Sequence, residues 1–113
     1  MIESVVISYL NSKLNVPVYA EEPTRKIAEY VTVKSIDNGR VEFIYAVTLN
    51  IVSVSTSLEN AAKLNKQVKD AMYDIISLDN VSSSKCGGGG QRVDTSTKRY
   101  ECECIFNLYY MEV

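Results

Sequence analysis

Val41-Glu42-Phe43-Ile44-Tyr45-Ala46-Val47-Thr48-Leu49-Asn50-Ile51-Val52-Ser53-Val54-Ser55 is the stretch that decides the fold. Its odd positions Val41, Phe43, Tyr45, Val47, Leu49 and Ile51 form an almost unbroken apolar row. Alternate side chains of a strand fall on opposite faces, so this period of two predicts one long β-strand with a core-facing side. Upstream, Tyr30–Ile36 alternates Val31 and Val33 with Thr32 and Lys34, and Asp37-Asn38-Gly39-Arg40 separates the two runs. Asn-Gly between alternating segments is a strong hairpin signal, because both residues tolerate positive φ. At about 3.3 Å per residue the long strand would span roughly 45–50 Å, more than a small domain needs. Part of the hairpin around Asn38-Gly39 is therefore expected to project beyond the body.

Downstream, Thr56 precedes Glu59 by three residues, the spacing of a capping box. Leu58, Ala61, Leu64, Val68, Ala71, Met72, Ile75 and Ile76 then recur at three and four, which predicts an amphipathic helix to about Ser77. Glu59 and Lys63 are spaced for a helical ion pair. Upstream of the hairpin, Ile2, Val5, Val6, Tyr9, Leu10 and Leu14 form a second helical stripe. Asn15 and Pro17 end it, Val16–Ala20 reads as a short edge strand, and Glu21-Glu22-Pro23-Thr24-Arg25-Lys26 is a charged loop. The closing segment from Tyr100 to about Met111 alternates again, with Tyr100, Cys102, Cys104, Phe106, Leu108 and Tyr110 on one side. Between these segments lies the one low-complexity stretch, Ser82 to Gly90, which predicts a mobile Ser/Gly-rich loop over about 82–99, with short strands around Val81 and Val93.

The order α-β-β-β-α-β-β predicts an α+β fold: a mainly antiparallel β-sheet with two helices packed on one face. A chain of 113 residues has room for a single domain over 1–113. The 46% hydrophobic and 23% charged composition is that of a folded globular chain. No apolar run approaches the length of a membrane span, and no basic stretch leads into a signal-type core, so no membrane partner is expected.

Histidine is absent, which removes the usual general base near neutral pH and the commonest metal ligand. Cys102 and Cys104 share one strand face and read as small core hydrophobes, while Cys86 precedes the four glycines and is expected to be exposed. Half of a four-thiolate metal site would need a second pair that the chain lacks. The tetraglycine is followed by Gln91-Arg92 and a strand pattern, not by Lys-Ser/Thr and a helix, so it is no phosphate loop. Glu101 and Glu103 share a strand face and are better explained as solvated or ion-paired groups than as an acid–base pair. No catalytic, metal or cofactor residues are expected, and no enzyme.

Two features point outward instead. Residues 85–99 carry Lys85, Arg92, Lys98 and Arg99 against Asp94 alone, on a chain of net charge −2. In addition, Ile44, Ala46, Val52 and Val54 on the long strand, with Ile105, Tyr109 and Met111 on the last, put apolar side chains on the face opposite the expected core. Either a neighbouring subunit or the chain's own N-terminal segment must cover them. The candidate oligomer interface is thus Ile44, Ala46, Val52, Val54, Ile105, Tyr109 and Met111. Candidate partner-contact residues are Asn38, Gly39, Arg40, Lys85, Gly87, Gly88, Gly89, Gly90 and Arg92.

The opening helix to Leu14, the Val16-Pro17-Val18-Tyr19 segment with its acidic loop Glu21-Glu22-Pro23, the paired strands, the helix Ser57-Leu58-Glu59-Asn60-Ala61-Ala62-Lys63-Leu64-Asn65 and the closing strand Tyr100–Tyr110 together resemble the tail terminator and tail-to-head joining proteins of long-tailed phages. The resemblance covers nearly the whole chain; the tetraglycine is not part of the family pattern. It implies a non-enzymatic virion or prophage protein, assembled in the host bacterial cytoplasm, whose homo-hexameric ring joins tail-tube and head-connector proteins while DNA passes through the lumen. The competing reading is a small intracellular nucleic-acid- or protein-binding module that uses the basic 85–99 segment, with tyrosines stacking bases.

Overall fold

The computed structural model describes residues 2–25, 27–94 and 99–111. Its elements are α1 (Ile2–Lys13), β1 (Val18–Tyr19), β2 (Tyr30–Val41), β3 (Ile44–Ser55), α2 (Leu58–Tyr73), β4 (Val81–Asp94) and β5 (Arg99–Met111). The strands form one sheet in the order β1-β2-β3-β5-β4. Every neighbouring pair is antiparallel except β1 with β2. This is the expected α+β architecture in the expected element order.

The centre of the sheet is the β3–β5 pair, whose register sets Val47 opposite Leu108, Leu49 opposite Phe106, and Ile51 opposite Cys104. The strand period of two then places all six on one face, and all six are buried. Val31 and Val33 of β2 continue that face. The helices lie over it, with Val6, Tyr9 and Leu10 coming from α1 and Ala61, Leu64, Val68 and Met72 from α2. Tyr9 ties the two helices together: its hydroxyl donates to the Ala71 carbonyl at 2.8 Å in a buried bond. Burial, and secondarily the nearby Asp74 carboxylate, push the Tyr9 phenol up, so it stays a neutral donor.

Two helix details differ from expectation. The N-cap of α2 is Ser57, not Thr56; Ser57 has an extended backbone, and its Oγ accepts from the Asn60 amide at 3.1 Å. Helical backbone begins at Leu58, so Ser57 is the flanking residue whose oxygen can reach an orphan amide of the first turn, here that of the third helical residue. The regular helix stops at Tyr73 and tightens into a 3-10 turn over Asp74–Ser77 that still buries Ile75. The expected Glu59–Lys63 ion pair forms at 3.3 Å, but it is well exposed and contributes little.

The hairpin turn also lies elsewhere. β2 runs through Asn38-Gly39 to Val41, and the chain reverses at Glu42-Phe43, where Glu42 has φ 57°. Asn38-Gly39 instead forms a β-bulge: between Asp37 and Arg40 the register slips, with β2 gaining one residue on β3. Gly39 has φ 101°, and Asp37 Oδ1 accepts its amide at 2.8 Å. The positive φ that the sequence assigned to a turn is spent on a bulge stabilised by the Asp37 carboxylate.

The larger correction concerns the Ser/Gly-rich segment. Residues 81–94 are not a loop but a 14-residue strand paired with β5 along its length, with register shifts between Val81 and Ser83 and between Cys86 and Gly88; residues 95–98 of the expected loop lie outside the described residues. The glycines have a steric role here. A Cβ on Gly89 would lie 2.3 Å from the Glu103 carbonyl oxygen of β5, and Gly88 has φ 136°. Backbone meets backbone too closely at Gly89 for any side chain, while nothing lies within 4 Å of a Cβ on Gly90. Gly89→Ala is therefore expected to destabilise the fold by about 1–3 kcal/mol, whereas Gly90→Ala stays within about 1 kcal/mol of the parent; urea unfolding of the two variants separates this steric account from one in which all four glycines serve only flexibility.

Candidate assembly surfaces

The sheet face turned away from the helices is mixed rather than apolar. Of the seven residues predicted to line an interface, Ile44, Tyr109 and Met111 are about half exposed, and Ala46, Val52 and Ile105 are partly buried. Val54 is only 2% exposed and is already part of the folded chain's interior. The cross-strand pairs Ile44–Met111 and Ala46–Tyr109 gather four of the seven at the hairpin end. A polar rung crosses the face next to them: Asn38 donates to Thr48 Oγ1 at 2.6 Å, and Thr48 donates to Asn107 Oδ1 at 2.8 Å.

At the other end the chain covers itself. Tyr30, opposite Val54 in the sheet, is fully buried, and its ring lies 6.3 Å from that of Tyr19. Its hydroxyl donates to Glu22 Oε1 at 2.9 Å and accepts from Arg99 at 2.5 Å. Burial, followed by the Glu22 carboxylate, pushes the Tyr30 phenol up to about 12, with Arg99 opposing the shift. The acidic loop thus clamps one end of the face, and the hairpin end is left open.

The hairpin itself stands clear of the body. Every residue from 36 to 44 is exposed, and the molecule measures 47 × 24 × 23 Å. Asn38, Gly39 and Arg40 lie in this arm; Arg40 sits over the Tyr45 ring, 5.7 Å from its centroid. Val41 and Phe43, which the odd-position pattern assigned to the core face, are instead 78% and 81% exposed at the tip. The alternation of β3 runs on in sequence past the point where the chain reverses, so Val41 belongs to β2 and Phe43 to the turn.

Two of the four basic residues of the segment are ion-paired within the chain. Arg92 lies 3.4 Å from both Glu101 and Glu103 across the β4–β5 pair. Arg99 lies 3.9 Å from Glu22 and bonds Tyr30. Lys85 is exposed, and Lys98 is outside the described residues. Engaged by Arg92, Glu101 and Glu103 form an ion-pair network and not an acid–base pair.

A groove of about 390 Å³, which the sequence did not signal, runs between α2 and β4. Ala62, Asn65 and Lys69 of α2 form one wall, and Cys86, Gly88–Gly90 and Gln91 of β4 form the other, with Cys102 and Glu103 of β5 at its base. The bare glycine backbone of β4 opens this space beside the helix. Cys102 and Cys104 are buried free thiols, as expected, and Cys86 is a partly exposed one. Burial pushes both buried thiols up, that of Cys104 to about 12; Cys86 adds to the Cys104 shift and Lys69 opposes it. Among the described residues no cluster of His, Cys, Asp and Glu can hold a metal ion.

No protein-family model and no curated protein matches the sequence. Among solved structures, the fold is similar to that of a chain from the virion of a native gene transfer agent particle, with a TM-score of 0.66 at 13% identity over 96% of this chain and 86% of that one. The likeness extends over the helices and the sheet together, because almost the whole chain is superposed.

The thiol environments lead to a labelling pattern. At pH 8 a maleimide or aromatic disulfide reagent should modify Cys86 alone in the folded protein, with Cys102 and Cys104 reacting only after denaturation. Rapid modification of two or three thiols in the native state, read by intact mass, would contradict this burial.

Proposed function

We propose that this chain is a structural component of a phage-type virion and that it works as a ring at the tail–head junction, in the role of a tail terminator or head–tail joining protein. The observation that carries this reading is the whole-chain fold likeness to a gene transfer agent virion chain. The surfaces agree with it. Folding leaves an exposed arm with apolar tip residues and a half-apolar sheet end, which suit burial by neighbouring subunits rather than small-molecule chemistry. No histidine is present, and Glu103, the acidic residue that lines the groove, is held by Arg92. On this reading the chain is not an enzyme and needs no cofactor. Its partners are copies of itself in a homo-hexamer, tail-tube protein on one side and head-connector protein on the other, with DNA passing through the lumen without sequence-specific contacts. Assembly takes place in the host bacterial cytoplasm and ends in the virion.

The binding-module alternative loses support from the structure, since Arg92 and Arg99 are paired with carboxylates of the same chain and Tyr30 is buried. Light scattering on a sizing column, across concentration and salt, tests the proposal directly. The expected result is a closed species near six times the 12.6 kDa chain mass. A monomer that binds a short oligonucleotide with steep salt dependence would overturn it in favour of the alternative.

A further inference from the structure

Folding leaves two complementary features unmatched within one chain. The first is the hairpin tip, where Val41 and Phe43 are the most exposed large apolar side chains described and the exposed Glu42 lies between them in sequence. The second is the groove beside the glycine backbone of β4, walled by Ala62, Asn65 and Lys69. Among the described residues neither Glu42 nor Lys69 forms an ion pair, so each charge lacks an opposite partner. Asn65 of the groove wall also has a buried Oδ1 with no hydrogen-bond donor among the described residues.

The tip cannot reach the groove of its own chain. Along β5, the tip is level with Met111 and the groove with Glu103, eight residues apart in the shared register, or roughly 26 Å of strand. A second molecule has no such constraint. We infer that the Val41–Ile44 tip of one copy docks in the α2–β4 groove of the next copy, with Phe43 against the bare glycine backbone and Glu42 paired with Lys69.

Tip and groove are different patches, so the contact is head-to-tail, the kind that closes into a ring when the rotation per subunit permits. The inference deepens the ring reading proposed above and rests on it. It also gives the tetraglycine a second role. Gly89, whose register partner is the helix-facing Cys104, both admits the close approach of β5 and leaves the groove wall without a side chain at that point.

Cys86 in the groove wall supplies a native reporter. Phe43→Cys in the full chain, oxidised with oxidised glutathione, should give a ladder of covalent oligomers on a non-reducing gel, and Phe43→Cys with Cys86→Ser should give none. In parallel, Glu42→Lys and Lys69→Glu should each raise the concentration at half-assembly by about tenfold, and the two combined should recover most of the loss. Light scattering on the same samples separates the two claims. A ring of the expected mass without the cysteine ladder, and without rescue by the charge swap, overturns the tip-in-groove contact and leaves the ring standing. A chain that stays monomeric and gives no ladder at any concentration overturns both.

Discussion

The register between β3 and β5 is the constraint on which the rest of the structure depends. Because Leu49 faces Phe106 and Ile51 faces Cys104, one sheet face is apolar without interruption and can carry both helices. A slip of one residue would turn that whole set toward water. The same pairing puts Thr48 beside Asn107 and Val52 beside Glu103 on the opposite face, which is therefore mixed in character. The division between the surface that folds the chain and the surface left over is decided at this one interface between strands.

β4 extends the sheet past that centre by an unusual route. A strand that contains four consecutive glycines has few side chains to pack, and its order rests on backbone pairing with β5. The close approach of Gly89 to the Glu103 carbonyl shows why one of these positions admits no side chain, and the positive φ of Gly88 shows why a second disfavours one. Nearby, Arg92 closes the pair by bridging Glu101 and Glu103. Arg92, from the segment that the sequence marks as basic and mobile, thus helps hold an edge strand in place, and Gly89 on its helix-facing side borders a groove beside α2.

Much of this was legible in the sequence. The two helical stripes, the alternation of Tyr100–Met111 and the core role of Cys102 and Cys104 follow from periodicity, which is strong wherever one face is buried. The failures share a physical cause: local signals were read without their tertiary partner. Asn38-Gly39 does adopt a positive φ, but Asp37 makes it a bulge, and the turn falls four residues later at Glu42-Phe43. Val41 and Phe43 continue the alternation of β3 in sequence, yet Val41 closes β2 and Phe43 lies in the turn, so neither shares the buried face of that strand. Glycine composition argues for a loop until a neighbouring strand supplies the hydrogen bonds. Val54 and Tyr30 could not be recognised as covered, because the cover is an ion-paired clamp between Glu22 and Arg99, 77 residues apart in sequence.

The central claim is that the surfaces left exposed by the β3–β5 division are those that assembly buries. Hydrogen exchange read by mass spectrometry, on the assembled protein and on the same chain dissociated by dilution, tests it most directly. The account predicts that the backbone amides of 36–44 and 86–92 gain protection together on assembly, while the β3–β5 core exchanges equally slowly in both states. Protection gained only on the solvent side of α1, with the hairpin tip exchanging equally fast in both states, would contradict it.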